Sequence, residues 1–312
     1  MQVRKNKKNA FFAVSASILL LALLFNAQPA LATMSSANYS IEWDTISSGG
    51  SDDSSSASYQ LRDTIGNTAI GSSSSTSYDL RAGYRQGVQD QVITYSLLPQ
   101  ATSVSTSASS YAGTVITVGA TGSFSVGDYI VLIQDVGESQ VSAVGRVVAK
   151  DGGTLTVDSL SDNGTAPIID GTNDSVYRLS GSALALGEIT TTEITTGIIA
   201  WNVTADSPNG YSIQIEEDMN LTSGGDDIDD VIDGSVDVGS EEYGAISSDT
   251  TLTTSTFDTE DTAITSTFQA VGTKSTTSYN SRDFLTFKAS AAAGTADGTY
   301  SQTLTFVVTG NY

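Results

Sequence analysis

Gly298-Thr-Tyr-Ser-Gln-Thr-Leu-Thr-Phe-Val-Val-Thr-Gly-Asn-Tyr312 alternates in character along almost its whole length. Tyr300, Thr303, Thr305 and Val307 fall on one side; Gln302, Leu304, Phe306 and Val308 fall on the other, with one slip near the start. A β-strand points successive side chains to opposite faces, so this run reads as a strand with one face in a core. Its apolar content, from Tyr300 to Val308, predicts a central or near-central position in its sheet, with Phe306 as a core anchor. The sequence stops where the strand does, which fits a structural or binding module rather than an enzyme.

The rest of the chain has the same character. Ser, Thr and Gly dominate, and short Val/Ile/Thr/Tyr runs are broken by Gly, Asn and Asp. Helical periodicity is missing outside the first 32 residues. The expected fold class is therefore all-β: tandem β modules, a small barrel or sandwich followed by an immunoglobulin-like β-sandwich.

The first 32 residues form a secretion signal. Arg4, Lys5, Lys7 and Lys8 precede an apolar run from Phe11 to Phe25, and Ala30-Leu-Ala32 is a small-x-small cleavage site. The apolar run is about 15 residues, short of the roughly 20 needed to span a bilayer. The protein is expected to be exported, extracellular or on the cell surface, with no membrane insertion after cleavage. The remaining 280 residues carry nine Lys and Arg against 35 Asp and Glu, a net charge near −26. Such a surface disfavours nucleic acid and anionic lipid, and it suits divalent cations. An exported chain with no Cys has no disulfides, so packing or metal must hold it together.

Residues 33–90 carry an internal repeat. Ala37-Asn-Tyr39-Ser-Ile41, Ala57-Ser-Tyr59-Gln-Leu61 and Thr76-Ser-Tyr78-Asp-Leu80 align, each followed by a Ser/Gly-rich or Gly-containing turn. They read as short β-hairpins that must stack or pack on a partner, with a low-complexity Ser-rich stalk as the alternative. Residues 91–112 read as a Ser/Thr/Ala linker around Pro99. Residues 113–182 read as the small barrel or sandwich, and residues 183–312 as the C-terminal sandwich with an acidic insertion. In this last part Ser207-Pro-Asn-Gly210 sits between two alternating runs and predicts a hairpin.

No His and no Cys means no Ser-His-Asp or Cys-His nucleophile and no ordinary zinc or copper site. Phosphate-cradling motifs are missing too. The chain is therefore read as a non-enzyme without a cofactor, calcium excepted. Between Glu216 and Glu242 lie eleven acids and no Lys or Arg. Within them Asp226, Asp227, Asp229, Asp230 and Asp233 are the candidate metal ligands, because calcium takes carboxylate and carbonyl oxygens. The competing reading is a solvated acidic loop. Asp158, Asp162 and Asn163, and Asp170, Asn173 and Asp174, are weaker versions of the same idea. Trp201, inside Ile198-Ile-Ala-Trp-Asn-Val203, is expected in a core rather than on a sugar-stacking platform.

The run Ser58-Tyr-Gln-Leu-Arg-Asp-Thr-Ile-Gly66, followed by Gly71-Ser-Ser-Ser-Ser75 and Tyr78-Asp-Leu-Arg-Ala-Gly-Tyr84, resembles a repeat at the N-termini of secreted bacterial envelope proteins. The ending Gly298 to Phe306 is similar to the last strand of bacterial surface β-sandwiches, among them fimbrial and spore-coat-U-like subunits and cell-wall-binding WxL domains. The chain departs from both: it has no fimbrial-type disulfide, and Trp201 is followed by Asn-Val rather than x-Leu. The resemblance implies an exported structural or adhesive protein of a bacterial envelope. Its partners would be other envelope or surface proteins, further copies of itself, or glycans. A carbohydrate-binding module is the alternative from another class. N-terminal sequencing of the exported protein is expected to begin at Thr33; a mature protein still starting at Met1 would overturn the cleavage.

Overall fold

The computed structural model describes residues 92–311 throughout and, before them, residues 34–35, 40–41, 49–55, 60–65, 71–74 and 79–82. The signal sequence and Trp43 lie outside the described residues. The chain forms two units, Met1–Asp90 and Gln91–Tyr312. In the first, β1 (Met34–Ser35) pairs with β2 (Ser40–Ile41), β3 (Gly49–Ser55) with β4 (Gln60–Ile65), and β5 (Gly71–Ser74) with β6 (Asp79–Ala82), all antiparallel. Ile41, Leu61 and Leu80, which align in the repeat, each fall on the second strand of a pair.

The second unit begins with β7 (Ile93–Ala112), a strand of 20 residues. This corrects the linker reading of residues 91–112. The segment is Ser/Thr-rich because only Leu98, Pro99, Gln100 and Ala108 along it are buried, so there is little apolar signal to read. Then come β8 (Val115–Val118), β9 (Tyr129–Gln134), β10 (Val141–Asp151), β11 (Thr154–Ser161) and β12 (Ser175–Leu179). The second half of β7 pairs with β8, and the ladder continues through β11, β10, β9 and β12. β12 returns to β7 and closes an antiparallel barrel. Ile116, Phe124, Ile130, Leu132, Leu155 and Val176 fill its interior.

The rest of the unit comprises β13 (Thr195–Ala205), β14 (Tyr211–Glu217), β15 (Thr222–Ser223), β16 (Asp226–Asp227), β17 (Glu242–Ser247), β18 (Gln269–Lys274), β19 (Ser278–Ser290) and β20 (Leu304–Gly310). One sheet runs β7-β13-β19-β17 and uses the first half of β7; the other runs β18-β14-β20. Between them Trp201, Tyr211, Ile213, Tyr243, Phe257 and Phe287 form the sandwich core. Trp201 is fully buried there.

β7 changes partner along its length. Ile93–Pro99 pair with β13, Gln100–Ser107 with β12, and Ala108–Ala112 with β8. Pro99 marks the handover, and the amide N–H of Ile198 then donates to Oε1 of buried Gln100 at 3.1 Å. The barrel also packs on the outer face of the β13–β19 sheet. Val131, Ile133, Val144 and Leu179 meet Ile198, Ala200 and Phe284 there. This explains the unbroken apolar runs at Tyr129–Ile133 and Ile198–Trp201: strands buried on both faces lose their polar alternation. Arg282 of β19, 7 % exposed, adds a polar tie: it donates to Oδ1 of Asp158 on β11 at 2.8 Å and to Ser159 Oγ at 2.7 Å.

Two further expectations change. Ser207–Gly210 is a turn, with the Gly210 N–H donating to the Ser207 carbonyl, but it makes no hairpin. β13 and β14 belong to opposite sheets, because β13 already has β7 and β19 as neighbours. Gly210 has φ +74° and lies so close to the Lys274 carbonyl that no Cβ fits. The terminal strand is at the edge of its sheet, not the centre. Alternation reports which face is buried, not whether both neighbours exist. Phe306 is half-buried against the sandwich core rather than enclosed by it.

Ile198→Ala, at the layer between barrel and sandwich, is expected to cost about 2–5 kcal/mol. In a unit this size that lowers Tm by roughly 4–20 °C. Because β7 belongs to both modules, calorimetry should still show one transition for residues 91–312. Two resolved transitions, with only one shifted, would show that the modules unfold independently.

Candidate functional site

An open cleft of about 1370 Å³ runs into the sandwich beside β20. Leu97 and Pro99 of β7, Leu184 and Leu186 of the incoming segment, and Leu304 and Phe306 of β20 line its apolar part. Tyr243, Gln302 and Thr303 line its polar end. Leu184 and Leu186 pack over Gly197, where a Cβ would meet both. That segment crosses the core mouth without joining a ladder.

β20 has one ladder partner, β14, in unbroken register from Tyr211 with Gly310 to Glu217 with Leu304. Just beyond the ends of that register, Asn311 donates to the Gly210 carbonyl and Thr303 accepts from Asp218 N–H. Bonded pairs alternate in an antiparallel ladder, so Leu304, Phe306, Val308 and Gly310 turn their N–H and C=O groups away from β14. The outer strands β17 and β18 are covered. On β18, carbonyls accept from Ser247 and Ser255 hydroxyls, and the Thr273 N–H donates to Asp249. β17 is met by Thr262 and Asp230.

The acidic insertion is not a free loop. Ile228, Val231 and Val236 are buried, and its backbone exchanges hydrogen bonds with Leu221 and Tyr243. The five predicted ligands do not converge. Asp226, Asp227, Asp229 and Asp233 are exposed, and only Asp230 turns partly inward. Asp227 accepts from Asn220 Nδ2 at 2.9 Å, and Asp233 from the Ser235 N–H at 3.2 Å. Among the described residues no group of three or more carboxylates is placed to hold a metal. The weaker candidates are occupied as well. Asp174 accepts from the N–H groups of Asp135, Asp170 and Gly171 and organises its loop. Burial alone would raise the Asp158 carboxyl, but Arg282 and the N–H groups of Ser159 and Arg146 outweigh it and hold it below the usual range.

The chemistry sits elsewhere. β14 places Tyr211, Ile213, Ile215 and Glu217 on its core face. Glu217 is 6 % exposed, and its Oε2 has no partner. The other buried carboxylates all have one: Asp174 its amides, Asp249 the Thr251 and Thr273 amides, Asp261 Lys288 at 2.8 Å, Asp283 Lys274 at 3.1 Å. Asp230 Oδ1 and Gln302 Oε1 are also buried without partners. The Tyr243 hydroxyl stands beside them and accepts from Gln302 Nε2 at 2.6 Å. Burial pushes the Glu217 carboxyl up to about 7, with the charges of Asp230 and Asp218 adding to it. Burial, then Asp227 and Asp229, raise Asp230. Burial, then Glu217 and Asp230, raise the Tyr243 hydroxyl.

Sequence reasoning passed over Glu217, Tyr243 and Gln302. For Glu217 the signal existed, since period two from Tyr211 carries it to the core face. Comparison with known families, curated proteins and solved structures returns no match.

Folded Glu217 holds its proton more tightly than an unfolded glutamate near 4.5. Its stabilisation is therefore complete below about pH 4.5 and is lost as pH rises through about 7. In chelator, Glu217→Gln is expected to raise Tm relative to wild type at pH 8 and to change it little at pH 4.5, read by calorimetry. Equal shifts at both pH values would contradict the buried-charge account.

Proposed function

We propose that this chain is a non-catalytic structural or adhesive protein of a bacterial cell surface, exported by its N-terminal signal and joined to further copies or other envelope proteins by strand addition at β20. The observation that carries this reading is the bare edge of β20. Residues 303–310 contain no charge and no Pro, in a chain of net charge −22. Natural sheets blunt their edges with charge, Pro, bulges or covering segments, and β20 uses none of these while β17 and β18 are covered. An uncovered strand with outward N–H and C=O groups takes another strand by main-chain hydrogen bonding. The apolar cleft next to it receives alternate side chains of an incoming strand. The all-β fold, the lack of Cys and His and the acidic charge agree with an exported, soluble, non-enzymatic role. Trp201 is enclosed in the sandwich core and offers the carbohydrate-binding alternative no stacking face.

Thr305 and Thr309 are the exposed side chains of β20. The double variant Thr305→Lys with Thr309→Lys places charge on the edge without entering the core. Wild-type mature protein should form oligomers at rising concentration in analytical ultracentrifugation, and the variant should stay monomeric. Surface substitutions of this kind change stability by only about 0.5 kcal/mol each, so Tm should move by a few degrees at most. A wild-type monomer at every concentration that also fails to bind isolated envelopes would overturn the proposal, as would a variant that assembles equally well.

A further inference from the structure

We propose that Glu217, Asp230 and Gln302 form a binding site for a divalent cation of the calcium class at the end of the sandwich. Three separate segments supply the oxygens: the last residue of β14, the loop before β17, and the residues leading into β20. Backbone pairing draws them together. Glu217 is in register with Leu304, Asp218 N–H donates to the Thr303 carbonyl, and Asp230 bridges to Tyr243. Gln302 is fixed by its Nε2 bond to the Tyr243 hydroxyl, which leaves its Oε1 free.

Each of these groups has an oxygen that is buried and without a partner. A buried carboxylate oxygen without a donor is costly, because desolvation is not offset. No Lys or Arg is at hand. The six Lys and Arg of residues 92–311 are engaged elsewhere: Arg146, Lys150 and Arg178 on backbone carbonyls, Lys274, Arg282 and Lys288 on Asp283, Asp158 and Asp261. A dication neutralises the two carboxylates together. The donors are hard oxygens with no nitrogen or sulfur among them, which selects calcium or magnesium over transition metals. Ligands from three irregular segments suit the flexible coordination of calcium better than the strict octahedron of magnesium. Water completes the shell, because two carboxylates and one amide fall short of the roughly six to eight oxygens calcium takes.

The site differs from the exposed tract. Asp226, Asp227 and Asp233 lie outside it, and only Asp230 belongs to both. It is independent of strand addition at β20, and a monomeric protein tests it equally well.

The experiment uses metal-free mature protein, titrated with calcium by calorimetry and with terbium while exciting tyrosine. Wild type should bind one calcium, and millimolar calcium should raise Tm by several degrees over chelator. Glu217→Gln and Asp230→Asn should each weaken binding by about tenfold or more, since carboxylate charge sets calcium affinity. Glu217→Gln folds in the metal-free state if its Tm at pH 8 equals or exceeds that of wild type, which separates lost binding from lost structure. The triple variant Asp226→Asn, Asp227→Asn, Asp233→Asn should bind within about twofold of wild type, since surface charges beyond the ligand shell are screened. Tyr243→Phe removes the hydroxyl that fixes Gln302, so it should weaken calcium binding and dim the terbium emission. No calcium binding by wild type at millimolar concentration overturns the proposal. So does binding abolished by the triple variant and untouched by Glu217→Gln.

Discussion

The second unit depends on one strand serving two modules. β7 gives its first half to the sandwich and its second half to the barrel, and the Gln100 side chain bridges the handover by capping Ile198 N–H. Neither module closes without it. Without β7 the barrel has a gap between β12 and β8, and the four-stranded sheet loses the neighbour of β13. The apolar layer of Val131, Ile133, Ile198 and Phe284 then makes the two modules one packed body rather than beads joined by a tether. In a chain without disulfides, this shared ladder and layer supply the covalent-free cross-link.

Much of this was legible. The apolar runs Tyr129–Ile133 and Ile198–Trp201 are unbroken, and the structure shows why: both faces of each strand are buried. β7 was not legible, since a strand with polar, exposed residues over most of its length has the composition of a linker. Its strand character comes from partners distant in sequence, which no local window contains. The Ser207–Gly210 turn was legible as a turn but not as a corner between sheets, because turn chemistry sets the reversal and not which sheet each arm joins. The edge position of β20 was hidden for the same reason.

The acidic insertion drew attention through composition, and composition misdirected it. The exposed aspartates Asp226, Asp227, Asp229 and Asp233 are numerous because solvated charges are cheap. The chemically unusual carboxylate is the buried one at the end of an alternating strand. Tyr211, Ile213 and Ile215 already assign Glu217 to the core face, and a charge on a core face needs a reason. Gln302 was read as one member of an alternating strand and Tyr243 lay just past the tract, and neither residue type is unusual by itself. Only the fold sets them beside Glu217.

The handover at Pro99 also has a mechanical consequence. Tension applied at the N-terminal end of β7 acts along that strand. Ladder bonds stand perpendicular to the strand axis, so such a pull shears many of them at once instead of peeling them singly. The load passes first through the seven pairs with β13 and then into β12 and β8. β7 thus carries such a pull into the ladders of both modules.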